Sequence, residues 1–84
     1  MDKALQDKIK QKIQETISNK NEIREISERL SGVDDSKSFI LGIVVGRLYN
    51  AFYYQTRRIL NREPTSDEFQ EFLDIIKTTE FDLW

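Results

Sequence analysis

One stretch of this chain of 84 residues limits the folds that the chain can adopt: residues 38–60, SFILGIVVGRLYNAFYYQTRRIL. The stretch contains no proline, and its apolar residues recur at helical spacing, so we predict a central helix from about Lys37 to Asn61. Five of its apolar residues are separated by four, three, four and seven positions, which is close to a heptad repeat, and we call their line along the helix the seam. Gln55 and Thr56 are the polar residues that interrupt it. The predicted seam consists of Leu41, Val45, Leu48, Phe52 and Ile59.

The first half of this stretch is apolar on all sides, because further apolar residues fill the side opposite the seam. Those residues are Phe39, Ile40, Ile43 and Val44. A helix that is apolar all round has to be covered all round. A chain of this length buries only about 60–65% of the surface that it exposes when unfolded. We therefore expect a second copy of the chain to cover part of residues 39–45.

The N-terminal segment is rich in Lys, Glu, Gln and Ile and has neither Gly nor Pro before Gly32, which predicts helix. Its apolar residues step by four from Leu5 to Ile17 and restart at Ile23, after the poor helix formers of residues 18–21. We predict two helical pieces, about 2–18 and 20–31, that are kinked or separated by a tight turn. One continuous bent helix is the alternative. Asn19 with Glu22 fits an N-cap followed by an acidic N3 residue.

The last third begins at a clear stop, because the residue before Pro64 is biased away from helical geometry. Residues 65–68, TSDE, form a capping box, so a short C-terminal helix is predicted over about 66–78. Residues 79–84 form a tail. The sequence thus predicts an all-α fold, a small helical bundle in which residues 1–84 are a single helical domain.

The chain has neither cysteine nor histidine, which removes thiolate nucleophiles, cysteine metal sites and the usual acid–base group near neutral pH. Helix caps and a solvated face account for the carboxylates, so we expect no catalytic residue, no metal site, no cofactor and no enzyme activity. The central apolar run is shorter than the ~20 residues of a membrane span, and the charged start is unlike a signal peptide. We expect a cytoplasmic protein without a membrane span.

Charge is unevenly distributed along the chain. Residues 1–31 carry seven basic and six acidic groups, residues 32–62 five and two, and residues 63–84 one and seven. Four arginines of the middle third are candidates for contact with an anion or a nucleic acid: Arg47, Arg57, Arg58 and Arg62. We favour the alternative that they pair with the acidic last third, since a chain of pI about 5.1 is not expected to bind nucleic acid.

Gly42 and Gly46 lie four residues apart, and each costs a helix about 1 kcal/mol relative to alanine. We predict a close helix crossing, either with a second copy of the chain or with a bulky ring of the chain's own first helix. The predicted helix-crossing or dimer interface consists of Phe39, Gly42, Ile43, Gly46, Asn50 and Tyr53. The aromatic residues Tyr49, Phe52, Tyr53 and Tyr54 are either ligand contacts or core, and we expect core.

The C-terminal tail alternates acidic and apolar residues. Its apolar residues Phe81, Leu83 and Trp84 are candidates for docking to a partner protein. The alternative, which we favour, is that they fold back over the open end of a small core.

Residues 22–32, EIREISERLSG, resemble the first helix and turn of many helix-turn-helix modules. The resemblance implies DNA binding, but the next helix opens with apolar Phe39 to Val44 where such modules expose base-contacting polar residues. Our leading hypothesis is therefore a non-enzymatic helical module for oligomerisation or protein–protein interaction, a homodimer that also contacts another protein. The alternatives are a small DNA-binding regulator and an accessory subunit of a larger assembly.

Overall fold

Four α-helices make up the fold in the computed structural model, which describes residues 1–30, 32 and 35–82. They are α1 (Lys3–Ser18), α2 (Lys20–Arg29), α3 (Ser36–Leu60) and α4 (Ser66–Thr78). No strand occurs in the described part of the chain. The predicted all-α bundle is confirmed, and each observed helix end lies within two residues of its predicted position.

The N-terminal segment breaks at Asn19, as the restart of its apolar pattern predicted. The Asn19 N–H donates to the carbonyls of Glu15 and Thr16, each at 3.1 Å, and the Asn19 carbonyl accepts from the Glu22 N–H at 3.1 Å. Asn19 is the N-cap residue of α2 and Glu22 lies in its first turn, as predicted, but the Asn19 side chain makes no capping hydrogen bond. The two helices therefore join through backbone hydrogen bonds at one non-helical residue.

The connection to α3 ends in a side-chain cap. Gly32 has a φ of +83°, a left-handed conformation that glycine adopts without a Cβ penalty. Asp35 Oδ1 accepts a hydrogen bond from the Ser38 N–H at 3.1 Å and caps α3. At its other end α3 stops at Leu60, where Asn61 turns left-handed with a φ of 57° and its N–H donates to the Arg57 carbonyl.

The capping box predicted at the start of α4 is present. Thr65 Oγ1 accepts from the Glu68 N–H at 3.2 Å, and Glu68 Oε1 accepts from the Thr65 N–H at 2.9 Å. Two backbone donors of the first turn are satisfied in this way, which fixes where α4 begins.

The buried stripe of α3 differs from the predicted seam in its first half. Leu41 is 42% exposed and Val45 is half-buried, whereas Ile40 and Val44 are buried together with Leu48 and Phe52. The buried positions thus step by four, as Leu5, Ile9 and Ile13 do on α1. A step of four is typical of ridge packing between i±4 rows, and the heptad seam was wrong because it assumed coiled-coil packing.

The bundle has a three-helix end and a two-helix end. Helix α4 lies beside α1 and the C-terminal half of α3, where Phe69 and Phe72 contact Tyr49 and Phe52. Helix α2 lies against the start of α3, where Ser27 and Ile40 line a shared cleft. Three of the four exposed large aliphatic side chains in the described residues, Ile26, Leu30 and Leu41, lie at this two-helix end, and the fourth, Leu73, lies on α4.

No helix in the described ranges is both long enough and apolar enough to cross a membrane.

Candidate interaction surfaces

The predicted crossing residues all lie on one side of α3, which we call the outer face of α3. It consists of Phe39, Gly42, Ile43, Gly46, Asn50 and Tyr53. Because a helix turns about 100° per residue, this face lies roughly opposite the buried stripe through Val44 and Leu48. Gly42, Gly46 and Asn50 are exposed, and the three larger apolar and aromatic side chains are half-buried. The structure thus brings the six predicted residues together on one side of α3, where Ile43 and Tyr53 also pack against the core.

The two glycines meet nothing within their own chain. A Cβ atom placed at Gly42 or at Gly46 would have no heavy atom within 4 Å in the described structure beyond its immediate surroundings on α3. The alternative in which these glycines admit a ring from the first helix is therefore wrong. The other alternative, a crossing with a second copy of the chain, stays a prediction.

The aromatic residues of α3 divide between core and surface. Phe52 is fully buried and Tyr53 is half-buried, but Tyr49 is 46% and Tyr54 is 61% exposed. Tyr49 contacts the Tyr53 ring edge-on at a centroid distance of 5.2 Å. The expectation of an aromatic core is correct for Phe52 and wrong for Tyr54, because Tyr54 lies on a side of α3 that α4 does not reach.

Two of the four candidate arginines are committed to pairs with the acidic last third. Arg62 forms two hydrogen bonds with the Glu68 carboxylate, at 2.7 and 3.1 Å, and Arg57 pairs with Glu63 at 3.3 Å. The Arg62 guanidinium and the Thr65 N–H together lower the pKa of Glu68 to about 2. Within the described ranges, Arg47 and Arg58 form no salt bridge. Arg47 still lies close enough to Glu15 to help lower the pKa of that carboxyl, so Arg47 is partly engaged without a direct ion pair.

A groove between α1 and α3 adjoins the outer face of α3 and has a volume of about 250 Å³. Its lining, which we call the basic groove, consists of Lys12, Arg47, Asn50, Ala51, Tyr54 and Gln55. The Gln55 side chain is the unusual member, because Gln55 is only 4% exposed and its Oε1 accepts no hydrogen bond within the described structure. Sequence reasoning took Gln55 for an interruption of the seam and missed the groove, which depends on how Lys12 of α1 faces α3.

A second, shallower groove runs along α2. It has a volume of about 530 Å³ and is lined by Glu22, Glu25, Ile26, Arg29 and Leu30. Ile26 and Leu30 are each about half exposed, at 48% and 49%. This groove presents apolar surface at the two-helix end of the bundle.

The candidate docking tail is partly integrated into the fold. Phe81 is half-buried and packs against the core, and Asp82 lies 3.7 Å from the Lys20 ammonium. Leu83 and Trp84 lie outside the described residues. The position of Phe81 agrees with the fold-back alternative for that residue.

The described carboxylates form no cluster that could hold a metal ion. No protein-family model, curated protein or solved structure matches this chain. A functional hypothesis therefore has to come from the surfaces described above.

Proposed function

We propose that this protein is a non-enzymatic helical interaction module that forms a homodimer through the outer face of α3. The observation that carries the proposal is the open position of Gly42 and Gly46 beside the half-buried side chains of Phe39 and Ile43. A second α3 that crosses at the glycines would approach the backbone closely and cover both apolar side chains.

The cost of the glycines supports this proposal. Each glycine lowers helix stability by about 1 kcal/mol relative to alanine. Neither glycine has a positive φ that would require it, and no neighbouring side chain fills the space that it leaves. A close helix contact in the dimer would offset the helix stability that the two glycines cost the monomer.

The apolar surface at the two-helix end points in the same direction. Ile26, Leu30 and Leu41 are each between 42% and 49% exposed, all at the end of the bundle where α4 is missing. Apolar surface gathered in one region of a small protein is typical of interaction sites. An isologous contact about a two-fold axis is the simplest way for one sequence to cover it.

Light scattering over a concentration series tests the dimer. We expect a mass of about twice 10.0 kDa that falls toward the monomer on dilution. Gly46→Leu should yield a monomer, since a leucine side chain would separate the two backbones. Gln70→Leu is the matched control, because it adds the same side chain to an exposed position of α4 and should leave the dimer intact.

Two outcomes would overturn the proposal. One is a monomer at every concentration of the unaltered chain, and the other is a dimer that Gly46→Leu leaves unchanged. Specific binding of duplex DNA at ~0.15 M salt would instead favour the DNA-binding regulator. The pairing of Arg62 with Glu68 weighs against that alternative, because it holds one of the four candidate phosphate contacts in two hydrogen bonds to a carboxylate.

A further inference from the structure

We propose that the basic groove is a second interaction site and that it binds an acidic peptide segment of a partner protein. The groove lies on one edge of α3, between α3 and α1, and it does not include the two glycines. The proposal does not rest on the homodimer, because the groove shares only Asn50 with the outer face of α3, and Lys12 and Gln55 lie outside that face.

The first argument is the arrangement of positive charge along the groove. Arg47, Tyr54 and Arg58 follow one another at i, i+7 and i+11, so they lie along one side of α3. Lys8 and Lys12 lie one turn apart on the facing helix. The Glu15 carboxylate pairs with Lys12 at 3.1 Å and also interacts electrostatically with Arg47, so it offsets part of the charge of both. The remaining positive charges lie in a line along the groove, which we call the strip, and this arrangement suits an extended acidic ligand.

The second argument is the Gln55 side chain in the floor of the groove. Gln55 lines the groove, is 4% exposed, and its Oε1 has no hydrogen-bond donor within the described structure. Buried amide oxygens in proteins nearly always accept a hydrogen bond, because the oxygen loses its water when it is buried. Oε1 itself is closed off from the surface, so the amide would have to turn outward before a backbone N–H of a peptide in the groove could supply the missing donor.

The dimensions of the strip also fit a peptide. Arg47 and Arg58 are eleven residues apart, which corresponds to roughly 16 Å along the helix axis. An extended peptide covers this length with about five residues. Two carboxylates spaced by about that length would reach both arginines, and the backbone between them would pass over Tyr54 and Gln55.

A nucleic acid fits the groove less well than a peptide does. The DNA backbone carries only hydrogen-bond acceptors, so it offers no donor to Gln55 Oε1, whereas each non-proline unit of a peptide carries an N–H.

The test is fluorescence anisotropy with a labelled decapeptide of alternating Glu and Ser as the probe. A labelled single-stranded DNA decamer of mixed sequence serves as the competing probe. We expect the peptide to bind with a Kd of roughly 10–100 µM at ~0.05 M salt and to weaken as salt rises. The double variant Arg47→Gln, Arg58→Gln should weaken peptide binding by about tenfold or more.

Two further variants separate this site from a general charge effect. Arg57→Gln removes the same charge from an arginine that pairs with Glu63, and it should change the Kd by less than about twofold. Gln55→Leu should weaken peptide binding by about fivefold or more while the melting temperature does not fall. A loss of folding would lower the melting temperature, so this variant distinguishes a lost contact from a lost fold.

Three results would overturn the proposal. They are no peptide binding at ~1 mM protein, an equal effect of Arg57→Gln and of the double variant, and tighter binding of the DNA decamer than of the peptide. The first would leave the groove without this ligand, the second would attribute binding to overall charge, and the third would assign the groove to nucleic acid.

Discussion

The Phe52 and Phe72 rings stack against each other, with centroids 4.6 Å apart and an interplanar angle of 7°. Phe52 is 0% and Phe72 is 1% exposed, so the pair lies wholly within the core. Phe52 belongs to α3 and Phe72 to α4, and the stack therefore joins the last helix to the longest one.

Replacing Phe72 should have a large effect on stability. We expect Phe72→Ala to lower the free energy of unfolding by about 3–5 kcal/mol, because it removes a buried ring and leaves a cavity. Urea titration followed by circular dichroism measures this loss. Leu73→Ala is the control on the next residue, and it should cost much less because Leu73 is 41% exposed. Equal losses for the two variants would contradict the position assigned to α4.

Stability should depend on acid through Glu68. The pKa of Glu68 falls from about 4.5 to about 2 on folding, so the ionised carboxylate stabilises the native state above pH about 4.5. That contribution is lost as the pH falls from about 4.5 to about 2. We expect Glu68→Gln to lower stability at pH 7 and to flatten the acid side of the stability profile.

Glu63→Gln is the control for this acid profile. Glu63 pairs with Arg57 at the surface, with side chains 74% and 58% exposed, so the pair contributes little. Chemical denaturation at a series of pH values should yield nearly the same profile for Glu63→Gln as for the unaltered chain. If the free energy of unfolding falls equally steeply below pH about 4.5 with and without Glu68, the Arg62–Glu68 pair is not the cause of that fall.

Removing the unpaired amide of Gln55 should stabilise the free protein. Gln55→Leu exchanges a buried oxygen that has no donor for apolar volume, and we expect a gain of about 1–2 kcal/mol in unfolding free energy. Thermal unfolding in the absence of any peptide measures the change. Thr56→Val is the contrasting variant, because the Thr56 hydroxyl donates to the Phe52 carbonyl at 2.7 Å and its removal should not stabilise. A gain for both variants would show that burial of any polar group on α3 is unfavourable.

Replacing a glycine of α3 with alanine should raise the stability of the monomer and weaken the proposed dimer. In Gly42→Ala the new methyl group meets nothing in its own chain, so the monomer should gain about 1 kcal/mol from helix propensity alone. The same methyl group should weaken the proposed dimer. Unfolding at low concentration and mass at high concentration test the two effects, and a loss of monomer stability would contradict the open face.

The tail should contribute to the core through Phe81. Phe81→Ala removes a half-buried ring that packs against the core, and we expect a loss of about 1–2 kcal/mol. Asp82→Ala is the neighbouring control, since it removes only an exposed group 3.7 Å from Lys20. Unchanged stability of Phe81→Ala, measured by urea unfolding, would favour the docking hypothesis for the tail.

Local signals predicted the helices well. The capping box at Thr65 and Glu68, the stop before Pro64 and the poor helix formers around Asn19 are each read within a few residues of sequence. The side chain of Asn19 was predicted to cap α2, but backbone hydrogen bonds satisfy that turn instead. Helix ends were therefore predictable, whereas the atoms that make each cap were only partly so.

Packing between helices was less predictable, because it depends on the partner helix. Leu41 and Ile40 are equally apolar neighbours, and only the position of α2 decides that Ile40 is buried and Leu41 exposed. The pairing of Arg62 with Glu68 followed from the charge distribution. Nothing in the sequence showed which two of the four candidate arginines, Arg47 and Arg58, would form no salt bridge within the described residues. The basic groove combines residues of α1 and α3, so its shape emerges only when the two helices are placed side by side.

The absence of a third helix at the α2 end should affect local unfolding, and therefore amide hydrogen exchange, in α3. Amide protons of α3 near Phe52 are enclosed by two helices and should exchange with solvent only when the whole molecule opens. Those near Ile40 lie beside α2 at the end without α4, so they should exchange through a smaller opening that leaves the other end intact. Binding of a partner at this end would then slow deuterium uptake in the first turns of α3.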